Sequence, residues 1–182
     1  MPFQDRLEAG RRLGQALEGY RDQHPVVLGL PRGGVVVAGE VASHLGAPLD
    51  LVLVRKIGVP AQPELAMGAV VDGSAPLIVR NEEVIRLAGV SEATFKAVCE
   101  KELAEIERRA SRYLGGRARV DVARRVAIVV DDGIATGATT RAALRATRTR
   151  GPSRLVLAVP VAPSDSLAGM QDEADDIVCL EV

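Results

Sequence analysis

Short runs of apolar residues alternate along the chain with segments whose apolar positions repeat at helical spacing. The runs that read as strands are Val26–Leu30, Leu49–Val54, Val126–Val130, Leu155–Val159 and Ile177–Leu180. Their apolar residues are continuous rather than alternating, which is typical of strands covered on both faces. The predicted helices are Asp5–Tyr20, Val35–Leu45, Ser91–Tyr113, Thr139–Arg150 and Ser164–Glu173. This order predicts an α/β protein with a mainly parallel sheet between two helical layers.

The segment Ser91–Tyr113 differs from this alternation because its pattern predicts one long amphipathic helix. Its apolar positions, among them Phe95, Val98 and Ile106, fall three to five residues apart, and Ser91 is a suitable N-cap. Such a helix can pack on the sheet, cover an active site or form a subunit interface. The pattern does not choose between these roles.

Composition narrows the class of protein. The 182 residues are 47% hydrophobic, carry a net charge of −1 and include no tryptophan. We therefore expect a single domain over residues 1–182, located in the cytoplasm, with no nucleic-acid or membrane partner. Cys99 and Cys179 match no metal-ligand spacing and are expected to be reduced core residues.

The segment Val126–Thr140 carries the most informative chemistry. A buried strand runs into two adjacent carboxylates, Asp131 and Asp132, and a loop of small and hydroxyl residues leads into a helix. Gly133 and Gly137 permit tight turns, and the backbone N–H groups of the loop and the helix N-terminus form a site suited to phosphate. Carboxylates beside a phosphate would repel it unless they face sugar hydroxyls or a metal. A phosphorylated sugar satisfies this arrangement.

This segment resembles the phosphoribosyl-pyrophosphate signature of type I phosphoribosyltransferases. The resemblance implies that Asp131 and Asp132 hold the ribose 2- and 3-hydroxyls. It implies that the 5-phosphate is wrapped by Ala135, Thr136, Gly137, Ala138 and Thr139. It also implies a six-stranded sheet in the order 3-2-1-4-5-6, whose third strand, Ala69–Asp72, runs antiparallel at an edge.

A second segment, Leu28–Gly34, ends a strand in a glycine-rich turn that contains one arginine. The planar guanidinium of Arg32 offers donors that match phosphate oxygens. Upstream of the first signature, this turn resembles the family's pyrophosphate loop, formed here by Arg32, Gly33 and Gly34.

A third segment, Arg55–Glu64, follows the second predicted strand and contains two basic residues. Its position is similar to that of the family's mobile loop, which closes over the substrate and excludes water. The resemblance assigns Arg55 to ligand binding and Lys56 to catalysis. A surface loop with two solvated cations is the alternative.

The resemblance implies that a nucleophile displaces pyrophosphate at C1 of the ribose, with magnesium (Mg2+) carried by oxygens of the substrate and no dedicated set of protein metal ligands. We expect the protein to bind phosphoribosyl pyrophosphate and an acceptor such as a nucleobase, and to form a homodimer. Hypoxanthine-guanine enzymes carry an aspartate where this chain has Ala135, so the pattern does not name the acceptor. A regulator that binds the same ligand without turnover is the alternative function. Because the last predicted strand is followed directly by Val182, a fragment of a longer protein also stays open.

Overall fold

The computed structural model describes residues 2–73 and 75–182. The helices and strands follow in the order α1 (Arg6–Ala16), a 3-10 helix (Glu18–Gln23), β1 (Val26–Gly29), α2 (Gly33–Leu45), β2 (Leu49–Leu51), β3 (Val54–Val59), β4 (Gln62–Val71), β5 (Leu77–Arg80), α3 (Glu82–Leu87), α4 (Glu92–Leu114), β6 (Val126–Val130), α5 (Ala138–Thr149), β7 (Arg154–Val161), α6 (Ser164–Ala168) and β8 (Asp176–Glu181). None of the helices in the described residues is long and apolar enough to cross a membrane.

The chain forms two compact units. One contains residues 2–52 and 119–182, and the other contains residues 53–73 and 75–118. Each unit has a buried apolar core of its own. That residues 1–182 act together as a single domain stays a prediction.

The first unit is built on a five-stranded sheet in which all strands run parallel. The strand order is β2-β1-β6-β7-β8. β1 pairs with β6, with Val26 opposite Ala127. Every residue of these two strands is buried, as their continuous apolar runs predicted. The predicted α/β class and the mainly parallel sheet are confirmed.

Helices cover this sheet on both faces. The crossovers β1–α2–β2 and β6–α5–β7 lead toward opposite edges of the sheet, and right-handed crossovers of this kind place their helices on opposite faces. The core on the face of α1 and α2 joins these helices to alternate residues of the strands, and its buried side chains include Leu13, Val37, Val41, Ile128 and Val130. The result is the predicted three-layer arrangement.

Helices α1 and α2 approach closely because α1 carries glycines at the contact. A Cβ atom added to Gly10 would lie 2.6 Å from the Cβ atom of Glu40. The first turn of α1 is capped by Asp5, whose Oδ1 accepts a hydrogen bond from the N–H of Glu8 at 2.8 Å. Together, the glycine contact and the cap fix the N-terminal end of α1.

Most helix boundaries lie within a residue or two of the prediction, and two differ more. The segment Asp5–Tyr20 is divided, because α1 ends at Ala16 and a 3-10 helix begins at Glu18. The segment predicted at Ser164–Glu173 contains only the five-residue helix α6, which Gly169 follows as its C-cap. Both helices were predicted to be longer than they are. Turns with helix-like hydrogen bonds follow each of them, and local sequence signals do not separate such turns from the helix itself.

The second unit consists of the antiparallel sheet β3-β4-β5 with helices α3 and α4. Helix α4 is the long helix predicted at Ser91–Tyr113, and the hydroxyl of Ser91 accepts a hydrogen bond from the N–H of Thr94 at 3.1 Å. Its buried residues Phe95 and Ile106 pack in the core of this unit. Of the roles that the pattern left open, α4 packs against the sheet of its own unit.

The strand predicted at Ala69–Asp72 differs from the prediction in its sheet. Residues 69–71 end β4, which pairs with β3 and β5, so the parallel sheet has five strands and not six. The carboxylate of Asp72 accepts a hydrogen bond from the N–H of Leu53 at 2.7 Å, and the N–H of Asp72 donates to the carbonyl of Leu53 at 3.0 Å. These bonds hold the chain at Leu53, so the strand predicted at Leu49–Val54 is interrupted and a new sheet begins at Val54.

Replacing Gly10 by alanine should destabilise the protein by about 1–2 kcal/mol, because its Cβ would press against Glu40. The matched control is Gly39→Ala in α2, where no atom other than the neighbouring backbone of α2 itself lies within 4 Å of the added Cβ. That change should stabilise the protein by about 0.5–1 kcal/mol through helix propensity. Urea unfolding of both variants measures the difference, and equal stabilisation by both would show that α1 and α2 are not in close contact.

Candidate ligand-binding site

The site lies where the connections of the parallel sheet diverge. β1 and β6 are adjacent, but the chain leaves β1 toward β2 and leaves β6 toward β7 on the other side. A crevice therefore opens beyond the carboxyl ends of these two strands, where α/β proteins bind ligands. The turn Leu30–Gly34 follows β1, and the segment Asp131–Gly137 follows β6.

The two predicted loops meet at this point. A Cβ atom added to Gly33 would lie 1.9 Å from Oδ2 of Asp132, and one added to Gly34 would lie 3.0 Å from the carbonyl oxygen of Val130 and 3.2 Å from Oδ1 of Asp131. Only glycine fits at Gly33 without displacing the acidic pair. The structure thus brings the glycine pair and the acidic pair together across the crevice.

Asp131 is the more buried of the two acids. Its Oδ1 accepts a hydrogen bond from the N–H of Asp132 at 2.8 Å. Burial raises the pKa of the Asp131 carboxyl well above its ordinary value of 3.8, and the neighbouring charge of Asp132 raises it further. The backbone N–H of Asp132 and the hydroxyl of Thr140 act in the opposite direction on this pKa. The carboxyl of Asp131 therefore keeps its proton to a higher pH than an ordinary aspartate does.

Asp132 has a cationic partner that sequence reasoning missed. Nε of Arg6 donates to Oδ2 of Asp132 at 3.0 Å, and Nη2 of Arg6 lies 3.0 Å from the same oxygen. Arg6 is the first residue of α1, more than a hundred residues away in sequence. No local pattern marks such a contact, because the packing of α1 on the sheet creates it.

The phosphate loop predicted at residues 135–139 is the N-terminal end of α5. Gly137 is its N-cap, with φ at +84°, a conformation that favours glycine. Among the described residues, no protein acceptor receives a hydrogen bond from the backbone N–H groups of Ala135 to Thr139. These groups and the helix dipole suit a bound anion. The structure places all five predicted residues of this loop, Ala135, Thr136, Gly137, Ala138 and Thr139, side by side.

Arg32 lies at the N-terminal end of α2, and the peptide bond that joins it to Pro31 is cis. Its side chain is exposed, and within the described part of the chain it makes no hydrogen bond or ion pair. A free guanidinium next to the Gly33–Gly34 turn is available to a ligand in the crevice.

Arg55 and Lys56 belong to the second unit. They lie on β3, because the segment predicted as a loop at Arg55–Glu64 is mostly the hairpin of β3 and β4. Ile57 and Val59 are apolar positions of β3, and backbone pairing with β4 places them in a sheet. The glycine and the prolines of this segment, which are typical of loops, hid the strand from sequence reasoning. Nε of Arg55 donates to Glu102 of α4 at 2.8 Å, whereas Lys56 is exposed. That this hairpin moves over a ligand stays a prediction.

An apolar cavity of about 560 Å³ lies beside the acidic pair's loop. Its wall is formed by small and aliphatic residues from the ends of β6 and β7, namely Gly133, Ile134, Ala135, Val161, Ala162 and Pro163, together with Val182. A flat, largely apolar group would fit such a wall. Sequence reasoning did not single out Val161, Ala162 or Pro163, which lie beyond the strand predicted at Leu155–Val159.

Among the described residues, no three His, Cys, Asp or Glu side chains are grouped to hold a metal ion. The carboxyl oxygens of Asp131 and Asp132 are hard donors of the kind that magnesium accepts, but two residues do not complete its shell. The donor set therefore fits a magnesium ion that brings its other ligands from a phosphorylated compound and water.

Comparisons with known proteins agree with this geometry. A family model described as phosphoribosyl transferase domain matches residues 5–182. A Mycobacterium tuberculosis protein with the provisional name phosphoribosyl transferase is 50% identical over 178 residues, which are 98% of this chain and 40% of that protein. This chain therefore spans less than half the length of that relative.

Solved structures show the same fold. The protein TT1426 of Thermus thermophilus is 41% identical, with a TM-score of 0.84 over 100% of this chain and 85% of its own. The purine phosphoribosyltransferase of Pyrococcus horikoshii is 17% identical, with a TM-score of 0.52 over 96% of this chain and 80% of its own. The second likeness is one of fold alone.

Replacing Asp131 by asparagine should make the free protein more stable at neutral pH. As pH rises from the ordinary aspartate pKa of 3.8 toward the raised pKa, the folded state holds a proton that the unfolded state has released, so stability falls with pH. Asparagine removes this loss, and the gain over wild type should grow between about pH 4 and about pH 8 to the order of 1 kcal/mol or more.

Urea unfolding across this pH range checks the expectation. The control is Asp176→Asn, because Arg154 and Tyr20 lower the pKa of Asp176 to about 2 and its charge stabilises the fold. That variant should lose stability at neutral pH. A loss of stability in Asp131→Asn of the same sign would contradict the assignment of a raised pKa to Asp131.

Proposed function

Because the chain belongs to the phosphoribosyl transferase domain family, we propose that it transfers the 5-phosphoribosyl group of phosphoribosyl pyrophosphate to an acceptor and releases pyrophosphate. The observation that carries the proposal is the meeting of Gly33 and Gly34 with Asp131 and Asp132 at the switch point of the sheet. A ligand with a vicinal diol between two phosphate groups matches this order of acidic and anion-binding features.

Each part of the donor has a proposed partner. The carboxyls of Asp131 and Asp132 bind the ribose hydroxyls. The N–H groups of Ala135 to Thr139 bind the 5-phosphate, because they face no protein acceptor in the described residues. Arg32 and the backbone at Gly33 and Gly34 bind the pyrophosphate.

Lys56 and Arg55 have a further proposed role from the hairpin of the second unit. Lys56 is the better candidate for an anion, since its ammonium is exposed, while Arg55 is engaged with Glu102. Their part in the reaction rests on the resemblance of this segment to the family's mobile loop.

The proposed reaction is a displacement at C1 of the ribose. The bond from C1 to the pyrophosphate oxygen breaks as the acceptor nitrogen forms its bond to C1, the electron pair leaves with pyrophosphate, and the proton of the acceptor nitrogen is released to solvent. Positive charge develops on the ribose ring and negative charge on the leaving group, so catalysis is mainly electrostatic and positional. Magnesium bound to the pyrophosphate would neutralise part of this negative charge. Arg32 stabilises the remaining negative charge on the pyrophosphate, while Asp131 and Asp132 hold the ribose ring.

A nucleobase is the proposed acceptor. The cavity beside Ile134 and Ala135 is apolar and opens next to the ribose site, so one face of a planar base can stack against it. Ala135 has no carboxylate for a purine edge, which separates this site from the hypoxanthine-guanine pattern.

The first experiment is a screen for pyrophosphate release from phosphoribosyl pyrophosphate with magnesium and individual nucleobases. Turnover with one base would establish the enzyme and name its acceptor. Tight binding of phosphoribosyl pyrophosphate without turnover of any base would favour the alternative, a regulator that senses this ligand. No binding at millimolar ligand would contradict both.

Asp132→Asn should weaken binding of phosphoribosyl pyrophosphate by on the order of 10- to 150-fold, because it removes a charge-assisted hydrogen bond worth about 1.5–3 kcal/mol. Isothermal titration in magnesium buffer measures this loss. Asp172→Asn is the matched control, because this exposed carboxylate lies in the turn after α6. An equal loss in both variants would show that general charge, and not ribose contact, causes the effect.

Arg32→Ala should act on the pyrophosphate instead. Its cost should increase as charge develops on the leaving group, so kcat should fall more than KM rises. Binding of a nucleoside monophosphate should be spared, since this ligand has a 5-phosphate and no pyrophosphate. Equal weakening of both ligands in titrations would contradict the assignment of the two loops.

A further inference from the structure

Arg6 lies between the acidic pair and the glycine turn of the site. Its guanidinium donates to Oδ2 of Asp132, and its Nε atom lies 2.8 Å from the position that a Cβ atom on Gly33 would take. The side chain is 61% exposed, so it is open to the crevice. Arg6 therefore touches both the acidic pair and the glycine turn, which are the two features that the proposed donor must span.

The guanidinium of Arg6 has N–H groups that its contact with Asp132 does not use. An arginine carries five N–H groups in a planar fork. In Arg6, Nε and Nη2 are directed at a single oxygen of Asp132, and among the described residues no other acceptor is bonded to the fork. The remaining N–H groups project from a cation that lies beside the turn proposed to bind pyrophosphate.

The structure also holds Arg6 in place before any ligand arrives. Asp5 caps the first turn of α1, and the close contact of Gly10 with Glu40 fixes α1 on α2. The ion pair with Asp132 then orients the guanidinium. A preorganised side chain loses little conformational entropy when it binds a ligand.

On the basis of the proposed function, we propose that Arg6 is a further ligand-binding residue, which donates its free N–H groups to the pyrophosphate of phosphoribosyl pyrophosphate while Asp132 holds its guanidinium. Arg6 and Arg32 would then approach the leaving group from α1 and from the start of α2. Because Arg6 engages only Oδ2 of Asp132, the ion pair need not break for the ribose to bind.

Titration of two ligands tests this inference. Arg6→Ala should weaken binding of phosphoribosyl pyrophosphate by about 10- to 100-fold in magnesium buffer. Binding of ribose 5-phosphate, which lacks the pyrophosphate, should change by no more than about twofold. Arg6→Lys keeps the charge without the fork and should lose less than the alanine variant.

The matched control is Arg11→Ala. Arg11 lies on the same helix, is 63% exposed and pairs with Glu40 at 3.5 Å, away from the acidic pair. The Arg11→Ala variant should bind phosphoribosyl pyrophosphate and ribose 5-phosphate as the wild type does. Thermal unfolding of all variants, measured beside the titrations, shows whether any change in binding comes from loss of the fold.

Three results would overturn the inference. Tighter binding in Arg6→Ala would mean that Arg6 competes with the ligand for Asp132. An equal loss for both ligands would mean that Arg6 only positions Asp132 for the ribose. Unchanged binding would mean that it has no part in the site. Failure of the proposed function is a separate result, because the wild type itself would then not bind phosphoribosyl pyrophosphate.

Discussion

The close approach of a glycine turn to two adjacent carboxylates is the constraint on which the rest of the site depends. β1 and β6 are neighbours, so the residues that follow them must share the same small space. A side chain at Gly33 would overlap Oδ2 of Asp132. Because glycine stands there, the backbone of the turn approaches the acidic pair directly, and both N-terminal helix ends, of α2 and α5, border one crevice.

This crowding also decides where charge resides in the free protein. Two carboxylates at adjacent positions cannot both ionise cheaply when one is largely buried. Burial raises the pKa of Asp131, so its carboxyl keeps a proton to higher pH than an ordinary aspartate, while Asp132 has Arg6 as its partner. When Asp131 carries its proton, the pair offers a hydrogen-bond donor beside carboxylate acceptors. A ribose diol, which offers two hydroxyls that each donate and accept, is complementary to that combination.

The predictable and unpredictable parts of the structure differ in the range of the interactions that create them. The parallel strands, the loop at Asp131–Thr139 and the turn at Arg32–Gly34 follow from contiguous residues, since glycines, carboxylates and apolar runs act locally. The contact between Arg6 and Asp132 depends on the packing of α1, which no spacing reveals. The second sheet was missed for a related reason. Bonds between Asp72 and Leu53 connect residues 19 positions apart and redirect a chain that looked like one strand.

The two sides of the site differ in the same way, because one is formed by local interactions and the other is not. The side of the site proposed for the phosphoribosyl donor is built from backbone N–H groups and fixed charges at the ends of β1 and β6, so a few local residues determine it. The side proposed for the acceptor is an apolar wall formed by residues that follow β6, by the end of β7 and the residues after it, and by Val182, without a charged side chain. Such a wall supports a planar ring through contact area but does not distinguish rings of similar shape, because dispersion and apolar burial are not directional. Discrimination between acceptors therefore depends on the polar groups at its edge. This explains why the residues on which the proposed phosphoribosyl donor rests do not identify the acceptor.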